Sequence, residues 1–290
     1  GAVQYKDGIL FVTSRDRNQA LSRTNSATGE KFFALYFAKG KEDTFSEPKI
    51  FEKSIQTIYN DGPLCFNSAQ DEMYITTNNI EEGKTRKSND GNINLKIYRY
   101  KFIENEWVFN NGFQANNDQY NVAHASLSAD GNQLFFASDM PGGYGGMDIY
   151  RCIKKENTWD TPVNLGDKIN TPGNELFPFI KSDGTLYFTS GGHEGLGGLD
   201  IYSSQEKNGI WANAKNLMAP INSKNDDFAL VFNTGNNDGY FSSNRTTSAY
   251  MKTNDDNMYH FTVLSPPLID FTISLKDSVT DTDLTDAEIT

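Results

Sequence analysis

The chain has few of the residues that most often carry chemistry, with two cysteines and three histidines in 290 residues. Two cysteines cannot form a disulfide framework, and Cys65 and Cys152 each lie in a stretch of strand character, so both are expected to be buried, inert thiols. None of His124, His193 and His260 stands near a cysteine or another histidine at metal-ligand spacing, which argues against a zinc site. Basic residues are also scarce. Lys plus Arg number 26 against 38 Asp plus Glu, and the net charge of −12 argues against nucleic acid as the main partner. No apolar run approaches the about 20 residues a membrane helix needs, so no span is expected. Leu- and Ala-rich runs are absent too. Aromatic residues, in contrast, make up 13% of the chain, and with 24 glycines and many asparagines they favour strands and turns.

The plainest positive signal is a repeat. GGYGGMDIY at 142 to 150 returns as EGLGGLDIY at 194 to 202, and the 52-residue offset holds without a gap from Leu134 to Asn222. Trp159, Asn164, Leu165, Ile169 and Asn170 recur as Trp211, Asn216, Leu217, Ile221 and Asn222. Fainter copies flank this pair: Lys96-Ile97-Tyr98 with Trp107 before it, DGILFVTSRD and ALYFAKG at the start, DGYFSSNR and NMYHFTVL at the end. Each copy holds four short runs rich in Phe, Tyr, Val, Ile and Thr, such as ELFPFIK, TLYFT, LDIYSSQ and IWANAKNL in the fourth. Four antiparallel strands per unit of about 50 residues predict blades of a β-propeller. Five copies predict five blades over residues 1–264. The turns SADG, SDG and KDG predict tight hairpins between the first two strands of a blade.

These motifs, S-D-G-x-L-x-F-x-S followed by P-G-G-x-G-G-x-D-I-Y, resemble the WD40-like (PD40, TolB-type) propeller repeat. More narrowly, they are similar to the version in OmpA-family envelope proteins that accompany the type IX secretion system. After the propeller, residues 265–290 resemble a linker and the first strands of a carboxypeptidase regulatory-like β-sandwich, with LKDSVT and LTDAEI as those strands. The resemblance implies an all-β chain in the periplasm, associated with the outer membrane, that scaffolds or tethers a secretion complex. It also implies that peptidoglycan is met only through a domain outside this chain, as is any signal peptide or lipid anchor.

The glycine stretches invite three readings. A phosphate loop needs a helix after it, and no helical period follows either copy. A calcium loop needs several oxygen ligands, and each stretch offers one acid, Asp148 or Asp200. The third reading is structural: glycines supply positive φ in a tight crossover between the second and third strands, and the Asp fixes the turn by accepting backbone amides. Trp107, Trp159 and Trp211 at one strand position are expected to pack against a neighbouring strand or blade. No cofactor, metal or catalytic residue is assigned, and the chain is expected not to be an enzyme. The other reading is a carbohydrate-binding or glycan-cleaving propeller, which two carboxylates and exposed aromatics at the channel mouth would favour.

Loops between the second and third strands share a face with the connectors between blades. In blades 1, 2 and 5 these loops are long and polar, which suits binding on a rigid scaffold. That face is expected to meet an envelope or secretion-system protein through Tyr144 and Leu196 of the glycine loops and through Arg15, Arg17, Arg23, Arg86, Arg245 and Tyr250 of the long ones.

Overall fold

The computed structural model describes residues 1–14, 32–41, 44–81, 83–235, 237–246 and 256–264. A single turn of 3-10 helix, Lys53–Ile55, is the one helical element among the described residues. Everything else regular is strand.

Five antiparallel sheets follow one another along the chain. In blade 1, Ala2–Tyr5, Gly8–Thr13, Ala34–Lys41 and Thr44–Phe45 pair in that order, from the inside outward. Blade 2 repeats the order with Asp61–Phe66, Glu72–Asn78, Leu95–Ile103 and Glu106–Gly112. Blade 3 uses Val122–Leu127, Gln133–Ser138, Asp148–Lys155 and Thr158–Trp159, and blade 4 uses Glu175–Ile180, Thr185–Ser190, Asp200–Lys207 and Ile210–Trp211. Blade 5 has three strands among the described residues, Asp227–Phe232, Asp238–Ser243 and Asn257–Thr262. The chain is a five-bladed β-propeller. Residues 265–290, where the sandwich is expected, lie outside the described residues.

The innermost strands stand side by side around a channel, and the blades are glued face to face by aromatic and aliphatic side chains. Each tryptophan crosses to the preceding blade: Trp107 to Tyr5 (centroids 6.5 Å apart), Trp159 to Tyr74 (6.2 Å) and Trp211 to Phe135 (6.2 Å). All three are nearly fully buried, as the repeat predicts for packing residues. The ring closes between blades 5 and 1, where Tyr240 and Val231 pack with Ala2, Ile9 and Ala38, and the Thr234 amide donates to Gln4 Oε1 at 2.6 Å.

Two features of the blades are not written in strand propensity. Asparagines Asn116, Asn170 and Asn222 each clasp one residue of their blade's third strand, Ile97, Ile149 and Ile201, accepting its N–H and donating to its C=O. A side-chain amide has the same donor and acceptor pair as a peptide, so it replaces a missing strand there. In four inner strands a bulge interrupts the ladder, between Asp61 and Leu64, Ala123 and Ser126, Leu176 and Phe179, and Phe228 and Val231. The bulges place His124, Phe177 and Ala229 at φ of 59°, 49° and 55°, a region L-residues seldom enter. The amides freed there bond to the preceding blade: His124 N–H donates to Thr76 Oγ1 at 2.9 Å and Ala229 N–H to Thr189 Oγ1 at 3.2 Å. In blade 3 Ala137 occupies the matching position and has no hydroxyl. The Phe177 amide donates instead to His124 Nδ1, at 3.4 Å.

Candidate functional site

The two glycine loops lie on the face that also carries the connectors between blades, as the strand order requires. Their φ values correct one expectation. Gly142 alone of the seven glycines has positive φ, 96°, while Gly143, Gly145, Gly146, Gly195, Gly197 and Gly198 do not. They are glycine because neighbours come too close for a side chain. A Cβ on Gly145 would lie 2.3 Å from the Pro172 carbonyl, one on Gly197 2.1 Å from the Asn225 carbonyl oxygen, and one on Gly195 2.1 Å from Asp200 Oδ2. Each loop is thereby wedged against the connector that leads to the next blade. Gly146 N–H donates to Gly173 O at 2.8 Å and Met147 N–H to Asn174 Oδ1 at 2.9 Å, while Leu199 N–H donates to Asp226 Oδ1 at 3.0 Å.

The aspartates do what the turn chemistry predicts. Asp148 Oδ2 accepts the Tyr144 amide at 2.6 Å, and Asp200 Oδ2 accepts the amides of Leu196 and Gly197 at 2.8 and 2.9 Å. The residue between the glycines is pushed outward on a pinned backbone: Tyr144 is 50% and Leu196 45% exposed. Ile58 and Met218 of the blade connectors and Phe33 at the end of the blade 1 loop are exposed on the same side. Among the described residues, no three His, Cys, Asp or Glu side chains gather as a metal-ligand set.

The arginines part company. Arg86 lies on this face in the long blade 2 loop, paired with Glu81 at 2.6 Å, both side chains more than half exposed. Arg245 is engaged inside the ring. Its guanidinium pairs with fully buried Asp227, donates to the carbonyls of Pro220 and Ile221, and lies over the rings of Phe241 and Tyr259. Arg15, Arg17, Arg23 and Tyr250 lie outside the described residues.

Residue type gave no notice of a cavity of about 340 Å³ in the channel. Its walls run from mid-strand residues such as His124, Phe177 and Val231 to the hairpin turns at Ser68, Ser128 and Gly235, so it opens on the face opposite the glycine loops. Among the described residues, no Asp, Glu, Lys or Arg side chain lines it. The acids that begin the inner strands, Asp61, Glu175 and Asp227, are fully buried and lie outside its walls. Each is bound by its own connector. Thr57 N–H donates to Asp61 at 2.9 Å, Thr171 N–H and Oγ1 to Glu175 at 2.8 Å, and Ser223 N–H to Asp227 at 2.6 Å. Burial raises the Glu175 carboxyl above the usual carboxylate range.

His124 and Phe177 stack in the channel with centroids 3.9 Å apart and planes 11° from parallel. Burial holds the His124 imidazole down to about 3, so the ring is neutral at physiological pH. Cys65 also lines the cavity and is half-buried rather than fully buried, but burial pushes its thiol up to about 12, as it does for Cys152. A thiol held in that state is a poor nucleophile.

No protein-family model matches the chain, and no curated protein matches it in sequence. Solved structures do. A thermostable family-43 glycoside hydrolase is 13% identical with a TM-score of 0.53, the match covering 91% of this chain and 88% of that one. An α-L-arabinofuranosidase from Lactobacillus brevis is 11% identical with a TM-score of 0.51, covering 90% of each chain. TolB from Acinetobacter baumannii is 15% identical with a TM-score of 0.48 over 84% of this chain, which spans about half, 52%, of that TolB. At such identities the likeness is one of fold.

Proposed function

We propose that the chain is a non-catalytic interaction module of the periplasm, docking an envelope protein on its glycine-loop face and so scaffolding or tethering a type IX secretion complex. The observation that carries this reading is the fixed display of Tyr144 and Leu196. Both are half exposed on backbone pinned by a buried aspartate, and apolar side chains held rigidly in that way lose little entropy on docking. The channel cavity, with no charged side chain among its described walls, supports the same reading, because glycoside cleavage needs a pair of carboxyl groups within reach of one sugar.

The test is capture from detergent-solubilised envelope by the immobilised chain, unmodified and with Tyr144→Ser plus Leu196→Ser. Recovery of one outer-membrane protein, lost from the double variant, supports the proposal. Equal recovery by both removes the glycine-loop face from it, and retention of glycan alone replaces it with the carbohydrate-binding reading.

A further inference from the structure

The channel cavity lies apart from the glycine-loop face. We propose that it binds a small, uncharged, mostly apolar molecule carrying one hydrogen-bond acceptor, such as an aryl or alkyl alcohol or ketone.

Four observations lead to this. First, the volume of about 340 Å³ lies in the range of small-molecule pockets, about 300–1,000 Å³. Its walls include neither the starts of the inner strands of blades 2 to 5 nor the glycine loops.

Second, the described walls have no charged side chain in a protein whose net charge is −12. An ion entering would then give up its hydration and find no partner of opposite sign, which selects against charged ligands. Third, beside polar Gln4, Asn67, Ser126 and Asn233 the walls carry aromatic side chains, and these are less closed off than those of the blade cores. Phe11, Phe66, Phe177, Phe179 and Phe232 line the cavity and keep part of their surface exposed, whereas Phe135, Phe136 and Phe188 in the blade cores are 0–1% exposed. Apolar surface facing a confined space favours an apolar occupant.

Fourth, His124 presents an unspent donor. His124 Nδ1 accepts the Phe177 amide, so the neutral ring carries its proton on Nε2, and Nε2 has no hydrogen-bond partner among the described residues. His124 and Phe177 hold this stack from left-handed backbone, at φ of 59° and 49°.

The proposal is tested at mildly alkaline pH by titrating the neutral dye N-phenyl-1-naphthylamine into the chain and displacing it with 2-naphthalenemethanol, 2-naphthoate and 2-methylnaphthalene. Saturable binding of one dye per chain is expected, with the alcohol displacing it roughly tenfold better than the carboxylate. The methyl compound should be several-fold weaker than the alcohol, and His124→Phe should erase that gap while leaving the dye bound. Val231→Trp, which fills the cavity, should abolish binding, and Tyr144→Ala should leave it unchanged. Absence of saturable binding, equal displacement by alcohol and carboxylate, or full binding by a folded Val231→Trp protein overturns the proposal. If Val231→Trp gives no cooperative melt, the alcohol-to-carboxylate ratio of the unmodified protein decides alone. None of these outcomes bears on the glycine-loop face.

Discussion

Arg245 Nε donates to Asp227 Oδ1 at 3.2 Å, and the same guanidinium reaches back to the carbonyl of Pro220 at 2.8 Å. Asp227 begins the inner strand of blade 5 and Pro220 belongs to the connector leaving blade 4, so one side chain closes that junction. Its fan of donors explains why an arginine stands here.

Removing it leaves a buried carboxylate short of its counter-charge. Arg245→Met is expected to cost about 3–5 kcal/mol in urea unfolding. Arg245→Lys should recover only part of this, because an ammonium lacks the planar set of donors that bonds the Asp227 carboxylate and two carbonyls together.

The glycine loops make a prediction about space. Gly145→Ala and Gly197→Ala put a methyl against backbone that cannot swing aside, and each should lower stability by about 1–3 kcal/mol. Gly142 is different, with φ of 96° and nothing within 4 Å of where a methyl would sit, so Gly142→Ala should cost only the conformational strain, about 1 kcal/mol. Chemical denaturation of the three variants ranks them directly.

Asn170→Ala removes both bonds to Ile149 and strands a buried N–H and C=O, an expected loss of about 2–4 kcal/mol. Asn170→Asp should do no better at neutral pH, since a carboxylate accepts the Ile149 amide but has no proton for its carbonyl. Thermal melts of both variants beside the unmodified chain check this.

His124 links stability to pH. Its folded pKa, about 3, lies below the ordinary value of 6.5, so the neutral form is the one the fold favours. The stability it contributes is fully present above about 6.5 and is lost as pH falls from there toward 3. Relative to His124→Asn, which tolerates the same left-handed backbone, the unmodified chain should lose unfolding free energy across that window and match its own plateau above it. Parallel urea curves at several pH values measure the difference.

Much of the fold was legible because the chain says it more than once. The offset between Asp148 and Asp200 carries the blade count, and the SADG and SDG turns carry the hairpins, where Gly131 and Gly184 do adopt φ of 71° and 82°. What was not legible depends on contacts between blades. Nothing in the letters of Gly145 separates a need for positive φ from a need for room, and only the position of Pro172 decides it. Phe177 and Ala229 have ordinary strand chemistry, so their left-handed backbone follows from the bulge and not from residue type. Arg245 reads as one more loop arginine until Asp227, 18 residues earlier, is placed beside it. The cavity was missed for a related reason: its walls are drawn from short runs of all five copies, and no single run looks like a site.

The wedge of Gly145 against Pro172 has a mechanical consequence. Tyr144 is held by blade 3 through Asp148, while its loop is also bonded to the connector that opens blade 4. A pull on Tyr144 therefore loads two blades together and strains the joint between them in shear, instead of peeling one hairpin from its sheet.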